Sequence, residues 1–192
     1  MRKVAITGTI GSGKSECSKL IKKLGFSVFN CDEEVHKMYL NTHPAYQEIV
    51  NLFPTCVHED GIHRNEIAKI IFSEDEKKKK LEKLIYHYLL PQLLYAMENE
   101  KKPIFFAEVP LLFENGWDKY FDECMFVKTR DEVAIERLVT YRNMDREDAV
   151  KRLENQKITI NSTIPMTIIN NDDTVIELEE QINNWIRKRE ES

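Results

Sequence analysis

Apolar residues gather in short runs, and the spacing between them sets the architecture. Residues 3–7, 26–29, 103–107 and 124–128 are short, apolar and rich in β-favouring types, and Thr167-Ile168-Ile169 is a weaker fifth run. Continuous apolar character, rather than strict alternation, suits strands covered on both faces. Helical patterns separate the runs: Cys17, Leu20, Ile21 and Leu24 after the first, and Val175, Leu178, Ile182, Trp185 and Ile186 after the last. Strand and helix alternate, which predicts an α/β fold with a parallel sheet flanked by helices.

The interval between the second and third runs breaks this rhythm. Residues 33–102 hold no convincing strand and exceed what a crossover needs. Leu81, Leu84, Ile85, Tyr88 and Leu89 keep helical spacing there, and Pro91 is expected to kink or end that helix. The segment reads as a helical lobe inserted into one domain spanning residues 1–192. By fold analogy, such a lobe holds a second substrate. Lys77 to Lys80 follow Glu74-Asp75-Glu76 and read as a solvated helix face rather than an anion site. Asn171-Asp172-Asp173-Thr174 supplies cap and turn chemistry for the last helix, in which Trp185 reads as core.

Composition narrows the classes. At 192 residues, 42% apolar and 32% charged, the chain is an ordinary globular protein with enough length for a proper interior. A net charge of −5 leaves no basic surplus to neutralise a nucleic-acid backbone, although a local basic cluster can still hold a small polyanion. Cys17, Cys31, Cys56 and Cys124 are scattered without metal-ligand spacing and read as buried, reduced thiols. The apolar run after Arg2 and Lys3 is too short for a signal peptide. No stretch reaches the ~20 apolar residues of a membrane span. A cytoplasmic protein without membrane contact is expected; nothing in the composition sets its oligomeric state.

The chemistry is concentrated in Gly8-Thr9-Ile10-Gly11-Ser12-Gly13-Lys14-Ser15, which reads G-x-x-x-x-G-K-S between the first strand and the first helix. That context makes it a phosphate-binding loop. Gly8, Gly11, Ser12, Gly13, Lys14, Ser15 and Glu16 are the candidate ATP-site residues. Backbone amides and the helix N-terminus would close on phosphate oxygens, Lys14 would reach the β- and γ-phosphates, and the Ser15 hydroxyl would ligate Mg²⁺. No N-K-x-D guanine-reading segment follows, which argues against a GTPase, and motor ATPases normally run longer.

A small-molecule kinase further needs a carboxylate near the acceptor hydroxyl and arginines that neutralise the migrating phosphoryl group. Two roles are open to Asp32, just past the second strand: taking a proton from an acceptor hydroxyl, or capping a helix that begins at Glu33. Arg137, Arg142, Arg146 and Arg152 belong either to a hinged lid broken at Asn143 or to a salt-bridged surface helix with Glu136, Glu147, Asp148 and Glu154. Glu108, closing the third strand, suits either a Mg²⁺ partner acting through water or a strand-end surface residue. Another kinase acting on a nucleoside or nucleotide, or an ATP-binding regulatory module without turnover, is compatible with these features.

With those residues in place, the chain resembles the dephospho-CoA kinase family nearly end to end. The resemblance rests on the T-G-x-I-G-S-G-K-S opening, Phe29 to Asp32, Gly61-Ile62-His63-Arg64 and Leu81-Glu82 through His87. It extends through Val109-Pro110-Leu111-Leu112-Phe113-Glu114, then Arg137, Arg142, Arg152 and Gln156, and Asn170. It implies a P-loop kinase core with a helical substrate lobe over residues 33–102 and a lid over residues 138–160. The implied reaction moves the γ-phosphoryl group of ATP to the 3′-hydroxyl of dephospho-CoA. Asp32, Lys14, Arg137 and Arg142 would be catalytic, and Asp32, Arg64, His87, Leu111 and Leu112 would border the acceptor. Thr9, Asn30, His63, Tyr88 and the Ser162–Met166 stretch depart from the family pattern.

Overall fold

The computed structural model describes residues 1–156, 158, 160 and 162–190. The chain divides into two compact units, one made of Met1–Phe29 with Glu100–Ser192 and the other of Asn30–Asn99.

The first unit is built on a five-stranded sheet of β1 (Arg2–Gly8), β2 (Val28–Asn30), β5 (Ile104–Glu108), β6 (Glu123–Lys128) and β7 (Met166–Asn170), in the order β2-β5-β1-β6-β7. The β1–β5, β1–β6 and β6–β7 pairings are parallel. All five strands fall on the apolar runs; β1 and β5, shielded on both sides, need apolar side chains on both faces, whereas Met166 and Ile168 of the edge strand β7 are exposed. Val4, Ile6, Phe106, Met125, Val127 and Ile169 meet Cys17, Leu20 and Ile21 of α1 (Lys14–Lys23) and Leu178, Ile182, Trp185 and Ile186 of α8 (Val175–Glu190) in one buried cluster. Val175 is exposed, so the apolar stripe of α8 begins one turn later than its spacing suggests.

Strand order brings Glu108 into the site. In the β1–β5 register Ile6 stands opposite Glu108, so β5 ends beside the strand that feeds the phosphate-binding loop. In the β6–β7 register Lys128 stands opposite Asn170, which carries the following Asn171 towards that same loop.

The second unit holds α2 (Cys31–Lys37), α3 (Tyr46–Leu52), a hairpin of β3 (Val57–His58) and β4 (Gly61–Ile62), α4 (Arg64–Ser73) and α5 (Asp75–Asn99). The hairpin is a departure from the strandless reading of this segment; two-residue strands are too short to show an alternating pattern. Pro91 does not end its helix: α5 runs on to Asn99. Proline within a helix costs about 3 kcal/mol. Leu89, Leu93 and Met97 flank it fully buried, each worth roughly 1.5–3 kcal/mol, so packing against α2, α3 and α4 outweighs the lost backbone bond. Lys78, Lys79 and Lys80 are exposed and Lys80 pairs with Glu76 at 2.6 Å, as a solvated face requires.

Candidate active site

The phosphate-binding loop is shaped by backbone angles that its glycines permit. Gly13 caps α1 in the left-handed region (φ 90, ψ 28), and a Cβ there would lie 2.1 Å from Asn171 Nδ2. Gly8 has φ 147, and a Cβ there would lie 2.1 Å from the Val127 carbonyl oxygen. Thr9 has negative φ, since Asn143 alone among the described non-glycine residues is positive, so threonine is unstrained there. Lys14 Nζ donates to the carbonyls of Gly8 at 3.0 Å and Thr9 at 2.8 Å, folding the ammonium over the loop. Ser12 is fully buried, and its hydroxyl has no hydrogen-bond partner among the described residues.

Ser15 opens α1, and its hydroxyl donates to Glu108 Oε1 at 3.0 Å, while Ser18 Oγ donates to Glu108 Oε2 at 2.8 Å. Glu108 is only 1% exposed, which removes the surface reading of that residue. A hydroxyl and a carboxylate side by side are the hard oxygen donors that suit Mg²⁺. Glu16 turns instead to Lys19 at 3.3 Å. Burial, with Glu108 nearby, pushes the Cys17 thiol up to about 12, which makes it a neutral packing residue. After β5, Leu111 is exposed whereas Leu112 is completely buried, so only Leu111 has surface to offer a ligand.

Two short helices carry the arginines. α6 (Asp131–Arg142) ends at Asn143, which takes the left-handed angle φ 50 that asparagine tolerates. α7 (Arg146–Asn155) starts from Asp145, whose side chain accepts from the Glu147 amide at 2.8 Å. They pack through Ile135, Leu138 and Ala149, joined by Ile10 from the phosphate-binding loop. Among the described residues Arg142, Arg146 and Arg152 make no ion pair, so the salt-bridged surface helix finds no support. Arg142 is exposed at the end of α6. Arg137 donates through Nη2 to Asn171 Oδ1 at 3.4 Å, and its buried Nη1 has no hydrogen-bond partner among the described residues.

Asn171, read from the sequence only as cap and turn chemistry for the last helix, acts at the phosphate-binding loop. Its Nδ2 donates to the Ser12 carbonyl at 2.8 Å, so the turn after β7 braces the loop and holds Arg137. Asp172 accepts from the Arg130 amide at 2.6 Å and from Thr129 Oγ1 at 3.0 Å. Only Thr174 serves α8, in a reciprocal pair of bonds with Glu177 at 3.2 and 3.3 Å. Gln156 was noted for its place in the chain; its Oε1 accepts from the Ile10 amide at 2.5 Å.

In the second unit Asn30 caps α2 by accepting from the Glu33 amide at 3.1 Å. The helix starts at Cys31, and Asp32 is an exposed first-turn residue whose side chain is not the cap. Asp32 and His36 are four apart and share a helix face. Arg64, the first residue of α4, donates to His36 Nδ1 and stacks 5.1 Å from the Tyr39 ring. His36 therefore joins Arg64 to the Asp32 face, a link invisible without the fold. His87 is exposed on α5 and meets Tyr88 edge to face at 5.1 Å, on no shared contact with Arg64.

A family model described as Dephospho-CoA kinase matches residues 2–177. A dephospho-CoA kinase from Streptococcus agalactiae serotype III is 33% identical over 184 residues, covering 93% of this chain and 94% of that one. A crystal structure of TT1252 from Thermus thermophilus superposes with a TM-score of 0.82 at 25% identity, covering 97% of both chains. A dephospho-CoA kinase from Campylobacter jejuni shares the fold, with a TM-score of 0.67 at 24% identity over 98% of this chain and 97% of that one. With the family model spanning most of its length and a relative at a third identity nearly end to end, the chain belongs to the dephospho-CoA kinase family of phosphotransferases.

Proposed function

We propose that the protein transfers the γ-phosphoryl group of ATP to the 3′-hydroxyl of the dephospho-CoA ribose, giving coenzyme A and ADP. The observation that carries this reading is the pair of buried, unpartnered polar atoms, Ser12 Oγ and Arg137 Nη1, at a loop built from phosphate-binding residues. Such atoms normally find partners, and a phosphate group supplies acceptors for both. Loop amides and Lys14 hold the β- and γ-phosphates, and Arg137 with the exposed Arg142 meets the charge of the transferring group. Ser15, with Glu108 behind it, is the pair that would hold Mg²⁺, which when bound neutralises phosphate charge.

On the acceptor side Asp32 takes the proton of the 3′-hydroxyl as its oxygen bonds to the γ-phosphorus and the bond to ADP breaks. Arg64, His87 and Leu111 border the acceptor, with residues 33–102 as the substrate lobe. The lid covers residues 138–160, of which Lys157 and Thr159 lie outside the described residues. No helix among the described residues is long and apolar enough to cross a membrane. The four cysteines are buried and in no disulfide, which supports a reducing cytoplasm. The decisive assay is coupled ADP release with dephospho-CoA as acceptor, against nucleosides and nucleoside monophosphates. Turnover that needs dephospho-CoA is expected; turnover only with a nucleoside or nucleotide overturns the assignment.

A further inference from the structure

A second cluster of chemically capable side chains lies in the β3–β4 hairpin and the first turn of α4, on residues the proposed kinase reaction does not use. The antiparallel pairing sets His58 opposite Gly61, whose φ of 120 admits the tight reversal. His58 and His63 thereby stack, with ring centroids 3.9 Å apart. Glu66 reaches both: Oε2 lies 3.0 Å from His58 Nε2 and Oε1 lies 3.4 Å from His63 Nδ1. One donor atom from each of the three residues falls within 4.8 Å of the others.

We propose that His58, His63 and Glu66 bind a late first-row divalent cation of the Zn²⁺ type. Bonds of about 2.0–2.2 Å in tetrahedral geometry space the donors roughly 3.3 Å apart, close to both measured separations. A fourth residue orients His63. His63 Nε2 sits 2.8 Å from Asp60 Oδ1 and donates its proton there. In the neutral ring that leaves Nδ1 as the donor atom facing Glu66, where a shared cation would be bound by both. A histidine whose remote nitrogen is held by a carboxylate is the usual setting of a metal ligand. The competing soft ligands, the four cysteines, are all buried. Mg²⁺ prefers an all-oxygen set, so this site is chemically separate from the nucleotide's cation.

The test is calorimetric titration of the tag-free, metal-stripped full chain with ZnCl₂, without nucleotide. One equivalent with micromolar affinity is expected, with MgCl₂ unable to compete. His63→Ala and Glu66→Gln should each weaken binding at least about tenfold, and Asp60→Asn, which keeps all three donors, about tenfold. Absence of a saturating one-to-one isotherm overturns the proposal, as does wild-type affinity in a natively folded His58→Ala/His63→Ala variant. Should that variant unfold, Ni²⁺ broadening of histidine ring resonances in the wild-type protein decides. Selective loss of the His58 and His63 signals among the five histidines supports the site, and uniform or different losses refute it.

Discussion

Arg137 Nη2 donates to Asn171 Oδ1 at 3.4 Å, while Arg137 Nη1 is buried without a partner among the described residues and Asn171 Nδ2 donates to the Ser12 carbonyl at 2.8 Å. One asparagine thus anchors half of a guanidinium and braces the phosphate-binding loop. The other half carries a desolvation cost of about 1–3 kcal/mol that an incoming phosphate oxygen relieves. Replacing Arg137→Met keeps the bulk and removes the donors. The expected result is a kcat lower by about 10²- to 10³-fold, with no loss of melting temperature. Steady-state ADP release at saturating substrates checks it, and a kcat within threefold of wild type rejects the role.

Glu108 accepts from both Ser15 and Ser18, at 3.0 and 2.8 Å. Glu108→Gln retains shape and one acceptor while removing the charge that would draw Mg²⁺ to the Ser15 hydroxyl. The half-saturating Mg²⁺ concentration should rise about tenfold or more, and metal-free ATP binding should hardly change. Turnover titrated with MgCl₂ gives the first quantity and calorimetry in chelator the second. A variant with an unaltered Mg²⁺ dependence removes Glu108 from the cation site.

Asp32 is exposed in the first turn of α2, and the cap position belongs to Asn30. A side chain with no capping duty can be changed without unfolding the helix. Asp32→Asn should therefore leave the melting temperature and ATP affinity close to wild type while turnover drops about 10²- to 10⁴-fold, the usual worth of a proton acceptor. Equal rates for the two proteins with dephospho-CoA would eliminate this carboxylate as the base.

What was legible beforehand follows the range of the interactions concerned. Gly8, Gly13 and Ser15 were readable because a phosphate-binding loop imposes backbone and side-chain demands that a few residue types satisfy locally. The central strands were readable because shielding on both faces demands unbroken apolar runs, and β7 reads more weakly because Met166 and Ile168 are exposed. Asn171 was not, because its role exists only once β7 pairs with β6 and brings residue 171 to Ser12, 159 positions away. Asn30 stood out only as a departure from the family pattern, yet its oxygen does the capping that Asp32 was weighed for. Pro91 fails to end its helix for the reverse reason: a strong local preference yields to burial of Leu89 and Leu93 that only the packed helix supplies.

Asp172 ties the turn carrying Asn171 to the start of α6, accepting from the Arg130 amide at 2.6 Å and Thr129 Oγ1 at 3.0 Å. The hydrogen bond from the Arg130 amide, aided by Thr129 and the charges of Arg130 and Arg137, holds its carboxyl below the usual range. A folded-state value below the unfolded one means stability that is fully present above the unfolded value and lost as pH falls through the folded one. Asp172→Asn lacks this term and should melt lower than wild type near neutral pH. The gap should close as pH drops from about 5 towards about 2, below the ordinary aspartate range. Thermal melts of both proteins across that window measure it. The same variant loosens Asn171, so kcat at about pH 8 should fall alongside, and a pH-independent gap would show that the carboxylate does not hold this turn.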